Sequence, residues 1–297
     1  MKYWIINNTN FGYKNNSSEW FNTMLDYFDN YFIPFIQKNS KPSDKLVHLG
    51  NIFVSYESVK ISQLLTIKEL FVKLNNILPV IILDGYNEKS GISKLLDVKV
   101  VDNVSDIDGV KFISNKNPLE YINNDSIVFT NNRIDTQLLK RYDTLFFCGY
   151  HNEHKEDENI INVGCPYSLE KGMDGGFYVL DVETRKYKYV KNTYSPSYQV
   201  ITITDISQID EIDSEFVNKN NVSVVVDRSL VDDKKIKIDV LLSKYNFKSV
   251  SYTNEVVEEV ADGTSMNMED LIREKISSPD LLNEFENILR IYKEKYN

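Results

Sequence analysis

The sequence predicts an α/β fold: a two-layered β-sandwich flanked by helices, then a small α+β unit and C-terminal helices. Three observations carry this. Five short apolar runs each stop abruptly at a polar turn. Between several of them, apolar residues recur at three- and four-residue steps, the helical spacing. One run, Pro79-Val80-Ile81-Ile82-Leu83, is apolar without interruption, the pattern of a strand buried on both faces of a sheet.

In chain order, residues 3–6 (Tyr3-Trp4-Ile5-Ile6) form a buried strand that stops on Asn7-Asn8-Thr9-Asn10-Phe11-Gly12. A helix over 20–35 follows, because Trp20, Phe21, Met24, Leu25, Phe28, Phe32 and Phe35 share one side. Pro34 and the polar run to Asp44 are expected to end it. The strand over 45–49 closes at Gly50-Asn51. A second helix places Val59, Leu64, Ile67, Leu70, Phe71 and Leu74 together. The strand over 79–83 ends in Asp84-Gly85-Tyr86-Asn87. Strands over 126–129 and 144–148 end at Thr130-Asn131-Asn132 and Gly149-Tyr150-His151-Asn152, and two more strands cover 160–163 and 176–182. The strand ends should gather along one edge, where α/β folds place their sites.

Past Tyr194-Ser195-Pro196 the pattern resets. Strands over 200–204, 222–226 and 249–253 alternate with helices over 206–217 and 236–245. An acidic linker over 255–266 precedes helices over 268–276 and 280–296, with Ser278 as N-cap and Pro279 at the first helical position. The chain is thus read as three segments: 1–195, 196–254 and 255–297.

Composition narrows the function. Hydrophobic residues make up 42% of the 297 and charged residues 26%, as in a soluble globular protein. No apolar run is long enough to span a membrane and no leader is evident, so a cytoplasmic protein is expected. The net charge of −10 argues against binding nucleic acid over the whole surface, since that needs many Lys and Arg to displace counterions. It leaves room for a local DNA contact. Arg185, Lys186, Lys188 and Lys191 interleave with Tyr187, Tyr189 and Tyr194, and Lys234, Lys235, Lys237, Lys244 and Lys248 cluster further on. A half-exposed strand and a solvated helix face are the favoured readings of these two. Cys148 and Cys165 have neither metal nor redox spacing and read as packed thiols. No Walker-type Gly-Lys-Ser, Gly-x-Ser-x-Gly or GxGxxG is present.

The ordered set of turns says more than any one of them. Asn8-Thr9-Asn10-Phe11-Gly12 resembles the Asp-x-His turn of the calcineurin-like metallophosphoesterases. Gly50-Asn51-Ile52-Phe53-Val54 resembles their Gly-Asp-x-x-Asp turn. Asp84-Gly85-Tyr86-Asn87 stands where Gly-Asn-His-Asp would follow a buried strand, Asn131 where a lone His would stand, and Gly149-Tyr150-His151-Asn152 resembles Gly-His-x-His. Val163-Gly164-Cys165-Pro166-Tyr167-Ser168-Leu169 and Gly176-Phe177-Tyr178-Val179-Leu180-Asp181 are similar to segments of one branch, the SbcD-type DNA repair and recombination nuclease subunit, phage members included. The resemblance implies a nuclease-like domain over 1–195, a capping domain over 196–254, and partner-binding helices over 255–297.

The departures from that family decide the chemistry. Active members hold two divalent ions with carboxylates and imidazoles. Here Asn8 and Asn51 stand for Asp, Asn10, Tyr86, Asn131, Tyr150 and Asn152 for His, and Gly85 for the ligand Asn, with Asn87 near enough for the register to slip by a residue or two. Two divalent cations bring four positive charges that anionic ligands must balance. Amides carry no charge, and neither Tyr nor Asn supplies an imidazole nitrogen. Of the three histidines, His48 reads as a satisfied core residue, His151 takes the non-ligand place of its turn, and His154 is expected on a solvated loop. No metal, cofactor or catalytic residue is therefore expected.

The function this implies is a catalytically inactive nuclease-family subunit, a pseudoenzyme. It would bind an SbcC-like coiled-coil ATPase in virus-encoded DNA recombination or repair. The last helix offers Leu281, Phe285, Ile288, Leu289 and Tyr292 as the partner-binding stripe. The family's pairing mode suggests a homodimer through the helix from Trp20 to Phe35. The alternatives are a decoy that blocks a host nuclease complex, or a weak phosphodiesterase.

Overall fold

The computed structural model describes residues 1–55, 59–84, 91–114, 120–122, 125–132, 143–170, 172–230 and 235–253. Met1–Asn254 forms one compact unit. The predicted helices over 268–276 and 280–296, with Leu281, Phe285, Ile288, Leu289 and Tyr292, lie outside the described residues, as do Gly85 and Tyr86.

The chain begins with β1 (Lys2–Ile6), followed by β2 (Lys45–His48), β3 (Val80–Leu83) and β4 (Lys99–Val101). Then come β5 (Val104–Ile107), β6 (Val110–Ile113), β7 (Ile127–Thr130), β8 (Leu145–Cys148), β9 (Lys155–Asp157) and β10 (Ile160–Asn162). β11 (Gly176–Asp181) and β12 (Tyr187–Lys191) return to the first sheet, whose order is β12-β11-β1-β2-β3-β4. The second sheet runs β5-β6-β7-β8-β10-β9. In both, the central strands are parallel and the antiparallel pairs lie toward the edges. This is the two-sheet α/β sandwich expected from the sequence.

Side chains of β1 alternate across its sheet with period two. Trp4 and Ile6, with Phe177 of β11, face a helical layer that carries Phe28, Phe32, Ile36, Ile67 and Phe71. Tyr3 and Ile5 face the second sheet with Phe112, Phe129, Phe147 and Tyr178. The first sheet is thus covered on both faces, which explains the unbroken apolar run of β3.

The helical layer differs from expectation at Pro34. α1 (Ser18–Tyr27) passes into a π-helical turn (Phe28–Phe32) and then α2 (Ile33–Asn39), so the helix continues past the proline. The Ile33 N–H donates to Phe28 O, five residues back, and the wider turn accommodates the next residue, which has no N–H to place. Its aromatic stripe is turned inward: Tyr27, Phe28 and Phe32 are fully buried on the protein's own sheet. α3 (Ile61–Asn75) packs beside it through Ile67, Phe71 and Leu74.

A third sheet, β13 (Tyr198–Ile203), β14 (Asn221–Asp227) and β15 (Ser249–Thr253), is wholly parallel and has its own core around Ile203, Val224, Val226, Ile238 and Leu242. The single helix expected over 206–217 is two pieces, a 3₁₀ turn (Ile206–Ile209) and α4 (Ser214–Lys219). Each has its own cap, which is why they separate. Asp205 accepts from Ser207 N at 2.8 Å, and Asp213 accepts from Glu215 N at 2.8 Å. α5 (Lys235–Leu242) completes this core.

Candidate functional site

The ends of β1 and β2 are built from residues that tolerate left-handed backbone. Asn8, Asn10 and Asn51 have φ of 48°, 49° and 54°, and Gly50 has φ of 108°. Asn is the side chain best suited to that region after Gly. The two turns are zipped together: Asn8 N donates to Gly50 O, Asn10 N to Asn51 O, and Phe11 N to Ile52 O at 2.8 Å.

The amide side chains then close on one another. Asn51 Nδ2 donates to Asn8 Oδ1 at 2.8 Å, and Asn8 Nδ2 donates to His151 O at 2.8 Å. Asn10 Nδ2 lies 3.0 Å from Asn8 O, 3.3 Å from Asn152 Oδ1 and 3.4 Å from Cys165 Sγ. The structure therefore brings together Asn8, Asn10, Asn51 and Asn152. Gly149 fits against this group because a Cβ there would meet Asn7 Oδ1 and Leu49 Cβ at 2.7 Å. Tyr150 stands apart, 41% exposed, with its ring edge-on to His151.

Asn131 belongs to the other half of the edge. Its Nδ2 donates to Asp84 O at 2.8 Å, and Ser114 Oγ donates to the same carbonyl. Ser93 Oγ donates to the Asp84 carboxylate, whose pKa is nevertheless raised, chiefly by burial. The two halves meet where Gly149 N donates to Thr130 O.

Beneath the turns sits His48, fully buried. Its Nδ1 accepts from Gly50 N at 3.1 Å, which fixes the proton on Nε2. Nε2 lies 3.0 Å from Thr9 Oγ1, which itself donates to Ile52 O. With both nitrogens occupied and burial pushing its pKa down to about 3, the ring is a neutral cross-brace between two turns. The reading of His48 as a satisfied core histidine holds. His154 is not on a solvated loop: its ring stacks on Tyr189 at 4.0 Å, and Nδ1 lies 2.6 Å from Tyr178 OH. At Gly164, φ +70°, a Cβ would come within 2.6 Å of His154 N, so the missing side chain leaves room for that loop.

Four residues at this edge were not singled out from the sequence: Asn7, Thr9, Tyr167 and Asp84. Tyr167 OH donates to Thr9 O. Asn7 is fully buried, and neither amide atom has a hydrogen-bond partner. No linear pattern distinguishes it from its neighbours. Both cysteines are free and buried, and burial raises the Cys148 thiol to about 12 and the Cys165 thiol further. The middle of the basic–aromatic stretch, Tyr187–Lys191, is strand β12. Tyr187 and Tyr189 pack on Tyr178, while Lys191 pairs with Asp174 and Arg185 with Asp125.

The pair of divalent ions implied by the resemblance does not fit these donors. Asn8 and Asn51 offer amide N–H groups to their neighbours, and both ends of the Asn8 amide are engaged. Among the described residues, no group of three His, Cys, Asp or Glu is placed to hold a metal. Also among them, no helix is long and apolar enough to cross a membrane.

No family model matches the chain, and no curated protein matches it. A solved archaeal phosphodiesterase is similar at 17% identity over 65% of this chain and 100% of its own, with a TM-score of 0.39. At that score the likeness adds nothing to what the sheets themselves establish.

Proposed function

We propose that this protein is a non-catalytic subunit of SbcD-type nuclease descent that acts by binding, in virus-encoded DNA recombination or repair. The observation that supports this is the closed amide cluster. At the strand ends where the resemblance calls for carboxylate and imidazole ligands, Asn8, Asn10, Asn51 and Asn152 hydrogen-bond among themselves and to backbone. The partner proposed is an SbcC-like coiled-coil ATPase, engaged through Leu281, Phe285, Ile288, Leu289 and Tyr292.

The helix from Trp20 to Phe35 offers a second copy part of its stripe: Met24, Phe28 and Phe32 are buried in the core, while Trp20, Phe21, Leu25 and Phe35 are partly exposed. Exposed apolar residues among the described ones include Ile61 at 77% and Leu65 at 57% on α3, and Ile236 at 82% and Val240 at 60% on α5. The test is co-purification. Phe285→Asp with Leu289→Asp should abolish capture of the ATPase and leave the melting temperature within a few degrees of wild type. A double mutant that stays folded and still binds with unchanged affinity would sink the assignment of that stripe.

A further inference from the structure

Directly after the first strand-end turn, the chain makes a single left-handed turn. Lys14 (φ 48°, ψ 57°), Asn15 (φ 55°, ψ 45°) and Asn16 (φ 60°) all lie in the left-handed region. Asn is at ease there because its short amide bonds to nearby backbone; Lys is not. Something outside the backbone must favour this conformation. The Lys14 ammonium lies 5.9 Å from the Tyr13 ring centroid, 5.1 Å from Trp20 and 5.5 Å from Tyr198, and donates to Tyr198 OH at 3.0 Å. All three rings are within cation–π range. They also support each other: Trp20 stacks on Tyr198 at 15° and meets Tyr13 edge-on at 82°.

The rings come from different parts of the fold. Tyr13 and Trp20 belong to the sandwich, and Tyr198 opens β13 of the third sheet. Tyr13 N is tied back to Asn10 O, so the turn is continuous with the amide cluster. Beside the cage lies a cavity of about 300 Å³ lined by Ser17, Glu19, Thr23, Asn221 and Lys248. Glu19 and Lys248 face each other at 3.5 Å, on elements from the same two sides.

We propose that Tyr13, Trp20 and Tyr198 form a binding cage for a primary alkylammonium, that the chain's own Lys14 is its resident ligand, and that this contact latches the third sheet to the turn after β1. The cage is a binding site in its own right. Deleting the Lys14 side chain leaves it empty and open to a free amine of the same chemistry. n-Butylammonium is the missing group itself.

The variant to use is Lys14→Gly, because Gly adopts positive φ without strain. If Lys14 mattered only through its backbone, this change would tighten the turn. The latch gives the opposite result. Amide hydrogen exchange at Asn16 and Ser17 should quicken by about tenfold, a loss of local protection. Added n-butylammonium should bring it back to within about twofold, while potassium chloride at equal ionic strength should not. Lys14→Arg should stay close to wild type. Tyr198→Leu should quicken exchange with Lys14 present, and the amine should not correct it. Unchanged or slower exchange in Lys14→Gly, or recovery with potassium chloride alone, overturns the proposal. Should Lys14→Gly fail to fold, proton NMR of the wild type decides. Ring currents should shift the Lys14 Hε protons upfield, with the shift lost in Tyr198→Leu, and unshifted protons overturn the cage.

Discussion

The two halves of the strand-end edge use the same kinds of turn differently. At β1, β2 and β8, the polar side chains are neutral, and Asn8, Asn10, Asn51 and His48 are occupied by partners from the same turns. At β3 and β7 a carboxylate is present: Asp84 is buried, its pKa raised by that burial, and the neighbouring Asn131 Oδ1 is buried without a partner. One half is sealed by hydrogen bonds that hold two loops in shape. The other holds a titratable group, while buried amide atoms without a partner occur in both: Asn131 Oδ1 in this one, both ends of the Asn7 amide in the first. An edge whose amide side chains bond to one another should behave as structure, with stability rather than chemistry responding to mutation.

The strongest way to break the contrast is at His48. His48→Ala removes a buried ring and both of its hydrogen bonds, and should cost about 3–4 kcal/mol in urea unfolding. The wild type should also show a pH signature. With the folded pKa lowered to about 3 from an ordinary 6.5, the unfolded chain binds the proton first. Stability from this residue is therefore full above pH 6.5 and declines as pH falls toward 3, by up to about 1.4 kcal/mol per unit. His48→Ala should lack that slope.

Asn8→Asp sharpens the comparison by placing a carboxylate in the sealed half. One oxygen would still accept from Asn51 Nδ2, but the other would face the His151 carbonyl. A loss of about 2 kcal/mol is expected at neutral pH from burying this charge. The loss should shrink as pH falls, because the protonated acid regains a donor to that carbonyl. A variant as stable as wild type at neutral pH would mean that the sealed half tolerates charge. Asn131→Ala should have the smallest effect, about 1 kcal/mol, since only the bond to Asp84 O is lost.

Much of this was legible in the sequence, and the gaps have physical causes. The strand over 79–83 was plain because burial on both faces leaves no polar position. The helix from Trp20 onward was plain in its stripe but not in its length, because a π turn carries it past Pro34 without changing the apolar pattern. The β5–β6 hairpin was missed although Asp108-Gly109 announces it: both have positive φ, 53° and 76°, as a two-residue hairpin turn requires. At the site, the Asn positions carried two messages at once. Asn8, Asn10 and Asn51 depart from the ligands that the resemblance implies, and they also suit left-handed backbone, a role that no spacing reveals. Asn7 was invisible because its significance is its lack of partners, a property of packing alone.

The most direct test of the sealed edge is metal stoichiometry. Purified full-length chain would be equilibrated with manganese, separated from free ion, and its content measured by elemental analysis alongside its melting temperature. The expected result is well under one manganese per chain and a melting temperature unmoved by the metal, since amides already bonded to one another offer no charge to hold it. Two ions per chain, with a raised melting temperature lost in Asn51→Ala, would contradict the reading of this edge as structural.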